Sequence, residues 1–348
     1  MITNLLLYNL LLFTITFVLL KYFITNAKKY GLMDIPNERS AHKEPVARGA
    51  GMIFGFVFIV SLFLFFYFSN IDSNYIYIFI SLLIVFFTGI YDDFNDISSR
   101  KKFIFIIIAT IIAFSDGFAI NSLGNYFSYE LSLGYLALPF TIFAVVGFTN
   151  AINLSDGLDG LAGSISIIIL LALAYIGYHN DDQLLTYVPI YLSTTILAFL
   201  WFNWYPAKVF MGDSGSLFLG FVIALLSIYA LKYINPSSIL FLAAIPLLDT
   251  LMVMKRRRQR GNSLFVADKN HLHHIILSIK KDKLFTVASL LKMQVIFTLI
   301  FIQVYDKSGV VNLLLFVMLF FIFFSMFDPR AGHRPKEKKN KRRLRKSN

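Results

Sequence analysis

The chain has 348 residues, 57% hydrophobic and only 15% charged, with a mean hydropathy of +0.68. Soluble domains run nearer one half apolar and one quarter charged, so a soluble fold is excluded. Cysteine is absent, which excludes disulfides and thiolate-held zinc or iron–sulfur sites. A net charge of +12 invites nucleic acid, but the charge is laid out as membrane topology instead.

In chain order, apolar runs predict an all-α polytopic membrane protein with about eleven spans, at 4–22, 50–69, 74–91, 103–120, 137–153, 159–178, 184–202, 216–234, 236–254, 284–303 and 308–327. About 20 residues of helix cross a bilayer. The first run lacks a basic leader and a small-residue cleavage site, so it is expected to be a retained helix. Nearly all of the 32 Lys and Arg fall in the odd-numbered linkers and at the C-terminus. The positive-inside rule then puts the N-terminus outside and the C-terminus in the cytoplasm. One membrane domain is expected over 1–328. The tail 329–348 is read as a basic, disordered anchor that touches anionic lipid, with no nucleic acid as partner.

The outer segment 121–138, "NSLGNYFSYELSLGYLAL", alternates polar and aromatic residues and predicts a short surface hairpin. The inner loop 255–283 has room for a short amphipathic helix. The other outer loops are plain, whereas the inner ones cluster Asp, Asn, His and Arg. Chemistry is therefore expected at the cytoplasmic face.

The inner motifs follow in order. "DIPNERSAHKEPVARGAGM" places Arg39, His42 and Arg48 where they can face an anion, though positive-inside charge alone would also explain them. "GIYDDFNDISSRKK" carries Asp92 and Asp93. Adjacent carboxylates repel unless a cation or proton separates them, and Mg²⁺ takes carboxylate and phosphate oxygens. The same letters suit a mixed-charge loop, or the DDxxD pattern of prenyl-diphosphate enzymes.

"TNAINLSDGLDGLAGS" puts Asn150, Asn153, Asp156 and Asp159 between two apolar runs. Asn150 and Asp159 are nine residues apart, about 900° of helix, and so on opposite faces. These groups converge only if the chain breaks near Ser155–Gly157, with Asp156 capping the next helix and Asp159 in its first turn. In "NWYPAKVFMGDSGSLFLG", Pro206 ends a span and Gly212 and Gly215 flank Asp213. A lone Asp between glycines is often only a turn. On the same face as the other carboxylates it becomes a candidate metal ligand. "KRRRQRGNSLFVADKNHLHH" offers Arg256, Arg257 and Arg258 for phosphate, and His271, His273 and His274 without the spacing of the helical HExxH zinc motif.

Together these motifs resemble the polyprenyl-phosphate N-acetylhexosamine-1-phosphate transferase superfamily. The resemblance runs in order from about residue 30 to 280, through "YDD" at 91–93, "NAINLSDGLDGLAGS" at 150–164, "VFMGDSGSLFLG" at 209–220 and "HLHH" at 271–274. The "HLHH" form looks like the N-acetylglucosamine-1-phosphate branch. Ala50 departs from the pattern, where relatives commonly carry a third glycine.

The resemblance implies a multi-pass enzyme of the bacterial cytoplasmic membrane. It would move N-acetylhexosamine-1-phosphate from a UDP-sugar to undecaprenyl phosphate and release UMP, as the first membrane step of a surface polysaccharide. It implies Mg²⁺, with Mn²⁺ as a substitute, and is compatible with a homodimer. Residue by residue, Asp213 and Asp92 match metal ligands. Asp92 and Asp93 match the pair assigned to metal binding and activation of the lipid phosphate. Asn153, Asp156 and Asp159 match the nucleotide and active-site motif, Phe210 matches an aromatic on uracil, and His271, His273 and His274 match a substrate-binding loop. An intramembrane prenyltransferase and a cation-coupled transporter remain the rivals.

Overall fold

A computed structural model describes residues 2–36, 44–68, 75–127, 129–260 and 271–327. Arg39, His42 and the basic tail lie outside the described residues. The helices are α1 Ile2–Asn26, α2 Gly51–Phe68, α3 Ile76–Asn95, α4 Ser99–Ser115, α5 Ala137–Ser155, α6 Leu161–His179, α7 Gln183–Asn203, α8 Asp213–Tyr229, α9 Ile239–Leu242, α10 Ala244–Arg260, α11 Leu272–Lys280, α12 Lys283–Val304 and α13 Gly309–Phe327. Hydrocarbon offers no partner to backbone N–H and C=O groups, so long apolar runs close their hydrogen bonds internally as helices.

Among the described residues, nine helices are long and apolar enough to span: α1 to α3, α5 to α8, α12 and α13. A further apolar pair is bent, as a broken span or a re-entrant loop: the segment Pro236–Leu242 meets α10 at 86°. Gln294 of α12 satisfies the freed backbone there. Its amide nitrogen donates to the Leu242 carbonyl at 2.9 Å, and its oxygen accepts the Ile245 N–H at 3.3 Å. Irregular backbone at this depth survives only with such internal partners.

The expected span 103–120 is helical as α4, which begins earlier and stops at Ser115. Its 17 residues extend about 26 Å, short of the roughly 30 Å hydrocarbon core. It nevertheless runs the length of α3. Near its start, the Lys102 ammonium donates to Asp92 at the far end of α3; just past its end, Asp116 accepts the Ile78 N–H at 3.0 Å.

The bundle closes around α8, whose N-terminal half is buried on every side. A Cβ at Gly51 of α2 would lie 2.0 Å from the Gly215 nitrogen, and one at Gly89 of α3 would lie 2.5 Å from Ser214 Cα. Only glycine lets these backbones touch the start of α8. The expected hairpin is present as β3 (Ser122–Tyr126) antiparallel to β4 (Tyr129–Ser132). The expected amphipathic helix is α11.

The all-α expectation omitted a small second sheet. Here β1 (Met33–Asp34) pairs antiparallel with β2 (Val46–Arg48), which pairs parallel with β5 (Val209–Phe210). It ties the first inner loop to the segment before α8.

Candidate active site

The site is built where α3, α5 and α7 end and α4, α6 and α8 begin. Asp93 is buried at 4% exposure. Its carboxylate accepts the N–H groups of Asp213 at 2.9 Å and Ser214 at 3.1 Å. First-turn amides of a helix lack internal partners and favour an anion, so Asp93 clamps α3 to α8. Gly212 permits this approach: its φ is +73°, and a Cβ there would lie 2.6 Å from the Asp93 carboxylate.

Asp92, next in line on α3, closes the α3–α4 turn by accepting the Ile97 N–H at 2.8 Å. Its other oxygen accepts the Lys102 ammonium at 2.8 Å, and Lys102 also donates to Asp213. Asp213 further accepts the Asn153 amide at 3.2 Å, and Asn153 donates to the Ser216 hydroxyl at 2.7 Å. Arg48 of β2 donates to the Asp93 carbonyl at 2.6 Å and lies 3.6 Å from Asp96.

The chain does break after Ser155, and Asn153, Asp156 and Asp159 converge on the cleft, whereas Asn150, expected with them, does not line it. The capping expectation is corrected. Asp156 sits at the C-terminal end of α5, and α6 is preceded by Gly160, at φ +78°, whose N–H donates to Asn203. Asp159 lies in the turn, outside the first turn of α6, and accepts the Ala207 N–H at 3.2 Å. Asp156 has no donor among the described residues. Burial, then the carboxylates of Asp213, Asp93 and Asp159, push its pKa well above the usual range. A carboxylate so placed calls for a proton or a cation.

A cleft of about 340 Å³ opens here, walled by Asp34, Arg48, Asn153, Asp156, Asp159, Phe210, Asp213 and Lys283. Its donors are oxygens with no thiolate, the set that a hard divalent cation takes. Among the described residues no three His, Cys, Asp or Glu side chains already stand as a ligand group. Instead the Lys102 ammonium bridges Asp92 and Asp213. The carboxylates thus already gather round one cation, and Asp156 lacks a partner. That donor set fits a cation of the Mg²⁺ class, which Asp213 and Asp92 would hold in exchange for the Lys102 ammonium.

The histidines stand behind the cleft. His271 and His273 are buried, and His274 is exposed. A Cβ on Gly157 would lie 2.6 Å from His273 Nε2, so this ring packs on the Asp156–Asp159 turn. Burial, aided by His274, pulls the His273 pKa down to about 4. The three arginines are placed elsewhere. Arg256 is buried and donates to the Phe327 carbonyl at 2.8 Å, at the end of α13; Arg258 is exposed. Neither they nor Arg257 line the cleft.

Sequence reasoning passed over Lys102, Asn203, Asp34, Lys283 and Asp249. Lys102 sits in a run with Arg100 and Lys101 that positive-inside charge alone explains. Asp249 carried a usable signal, since it is a lone carboxylate within a predicted span.

A helical membrane bundle with an acidic cleft at one end defines a polytopic membrane protein equipped for phosphate chemistry. Residues 75–231 match the sequence model of glycosyl transferase family 4. The chain is 31% identical over 310 residues to a probable undecaprenyl-phosphate N-acetylglucosaminyl 1-phosphate transferase of Bacillus subtilis, covering 86% of this chain and 84% of that one. It is 32% identical over 265 residues to the undecaprenyl-phosphate alpha-N-acetylglucosaminyl 1-phosphate transferase of Yersinia pestis (72% and 71% covered). The Escherichia coli K12 enzyme of the same name is 31% identical over 263 residues (72% and 70%). The chain belongs to glycosyl transferase family 4.

Proposed function

We propose that the protein transfers N-acetylhexosamine-1-phosphate from a UDP-sugar to undecaprenyl phosphate, with N-acetylglucosamine as the default sugar. UMP leaves, and the product starts a surface polysaccharide. The observation that carries this is the meeting of Asp156 and Asp213 from two distant motifs at one cleft, with Asp92 of a third motif tied to Asp213 through Lys102 and no donor to Asp156 among the described residues. The names of the relatives supply the substrates.

An oxygen of the lipid phosphate attacks the β-phosphorus, and the bond to the α-phosphate oxygen breaks. Two unit charges about 4 Å apart repel by roughly 4 kcal/mol at an effective dielectric near 20. Lys102, Arg48 and Lys283 place positive charge to offset this. Mg²⁺, held by Asp213 and Asp92, would neutralise phosphoryl charge when bound. The lipid phosphate is already anionic near neutral pH, so it needs orientation more than a base. Asp93 is engaged by two backbone N–H groups, which supports a role as anchor. Asn153 orients Asp213, and Phe210 offers a ring for the uracil.

We place the protein in the bacterial cytoplasmic membrane with eleven spans, α4 among them, because it matches the depth of α3. The basic linkers support an outside N-terminus and a cytoplasmic site. The DDxxD prenyltransferase fits less well. Asp96, its third acid, has a side chain 86% exposed and sits beside Arg48. A transporter would carry its carboxylates at the midplane, and these lie at a bundle end.

The test is UMP release by purified protein given UDP-GlcNAc, undecaprenyl phosphate and Mg²⁺, with UDP-GalNAc and deoxy analogues compared. Chelation by EDTA and Asp213→Ala should each abolish release while the protein stays folded. Diphosphate as product, or wild-type turnover in the Asp213 variant, would sink the proposal.

A further inference from the structure

Asp249 is a carboxylate inside a predicted span, on α10, one turn past the break that Gln294 braces. Its side chain is nearly sealed, at 7% exposure, against 8% for that of His271. A charge so deep is costly unless it is paired and hydrogen-bonded. Both oxygens are used. One accepts His271 Nδ1 at 2.8 Å and the other accepts the Leu272 N–H at 2.7 Å. The second bond satisfies an orphan amide in the first turn of α11, whose own N-cap residue, His271, supplies no side-chain cap.

A carboxylate only accepts, so the Asp249 contact puts the proton of His271 on Nδ1. In the neutral ring Nε2 is then the bare acceptor. The chain of contacts continues toward the cleft. His271 and His273 lie parallel, centroids 5.7 Å apart and planes 8° from each other. His273 packs on Gly157, within the turn that carries Asp156 and Asp159.

We propose that Asp249 is a positioning residue for the reaction: it fixes the tautomer and ring plane of His271 and starts α11, and so holds the His271–His273 stack against the Asp156–Asp159 turn. This rests on the transferase activity proposed above. Asp249 touches no substrate and acts through the two rings and the turn.

The decisive variant is Asp249→Asn. Its amide oxygen can still accept the Leu272 N–H, so α11 keeps its cap. Its NH₂ now faces His271 Nδ1 as a donor, which forces the proton to Nε2. An amide substituted behind a histidine in this way preserves geometry and imposes the wrong tautomer.

The experiment compares wild type, Asp249→Asn and Asp249→Glu in detergent, by kcat and KM with UDP-GlcNAc and undecaprenyl phosphate, by melting temperature, and by nitrogen spectra of ¹⁵N-histidine-labelled protein. Asp249→Asn should melt close to wild type and keep KM for the donor within about twofold, while kcat falls about 10- to 100-fold. His271 should change from the Nδ1–H to the Nε2–H form. Asp249→Glu, which keeps an acceptor, should recover part of kcat and the native spectrum.

Wild-type kcat in Asp249→Asn with the tautomer switched would overturn the proposal. So would losses in both variants that simply track the folded fraction. If the wild type releases no UMP, the transferase activity itself fails, and the spectra still decide whether Asp249 sets the histidine.

Discussion

The two ends of the bundle treat charge in opposite ways. At the end away from the acidic cleft, Asp182 accepts the Leu185 N–H and the Tyr233 hydroxyl, each at 2.8 Å. Lys232 stands 3.6 Å from it and 3.3 Å above the Tyr229 ring. Each of these charges meets an opposite charge or a donor, and the cluster pins α7 to the end of α8. At the cleft, Asp156 has no donor among the described residues, and burial together with the charges of Asp213, Asp93 and Asp159 disfavours its ionised form. One end is arranged for stability. The other stores repulsion that a bound cation would relieve, at the expense of the ligand-free fold.

The largest effect should come from separating those two demands. Asp156→Asn keeps the shape and removes the unpaired charge. UMP release should fall by at least about 10²-fold, while the melting temperature without Mg²⁺ rises by about 2–4 °C. A lower melting temperature would mean that the carboxylate is already stabilised, and the contrast between the ends would collapse.

Next is the surface between the cleft turn and the histidines. Gly157→Ala drives a methyl into His273, so kcat should fall about 10- to 100-fold. Gly147→Ala, ten residues earlier and within α5, meets nothing within 4 Å and should leave kcat unchanged. Equal losses in both would point to α5 itself rather than to the His273 contact.

The converse change belongs at the far end. Asp182→Ala removes a helix cap and leaves Tyr233 and Lys232 without their acceptor. It should cost about 1–3 kcal/mol of stability and leave turnover per folded molecule intact. A matching loss of kcat would show that the two ends are coupled.

This division also explains what the sequence could reveal. The spans were legible because a bilayer demands long apolar runs, and α4 slipped only because it is short and opens with three cations, Arg100, Lys101 and Lys102. The aspartates were legible as letters out of place beside apolar segments. Their roles were less so. Asp156 looked like a helix cap, but Gly160 at φ +78° ends the turn and α6 starts after it. Lys102 carries the same letter as the topology lysines, and only the fold puts it between Asp92 and Asp213. The strands β2 and β5 are three and two residues long and pair across about 160 residues, so they leave no periodicity to read.

The smallest expected effect concerns His273. Burial holds its pKa at about 4, whereas an unfolded histidine titrates near 6.5. The unfolded chain therefore binds the proton first as pH drops. The neutral ring's stabilising contribution is whole above about pH 6.5, fades as pH falls toward 4, and changes no further below that. Across this window the melting temperature of the wild type should fall relative to that of His273→Gln, which cannot charge. Equal slopes for the two proteins would place the acid sensitivity outside His273, and outside the cleft carboxylates too, since their protonation relieves repulsion and pushes the slope the other way.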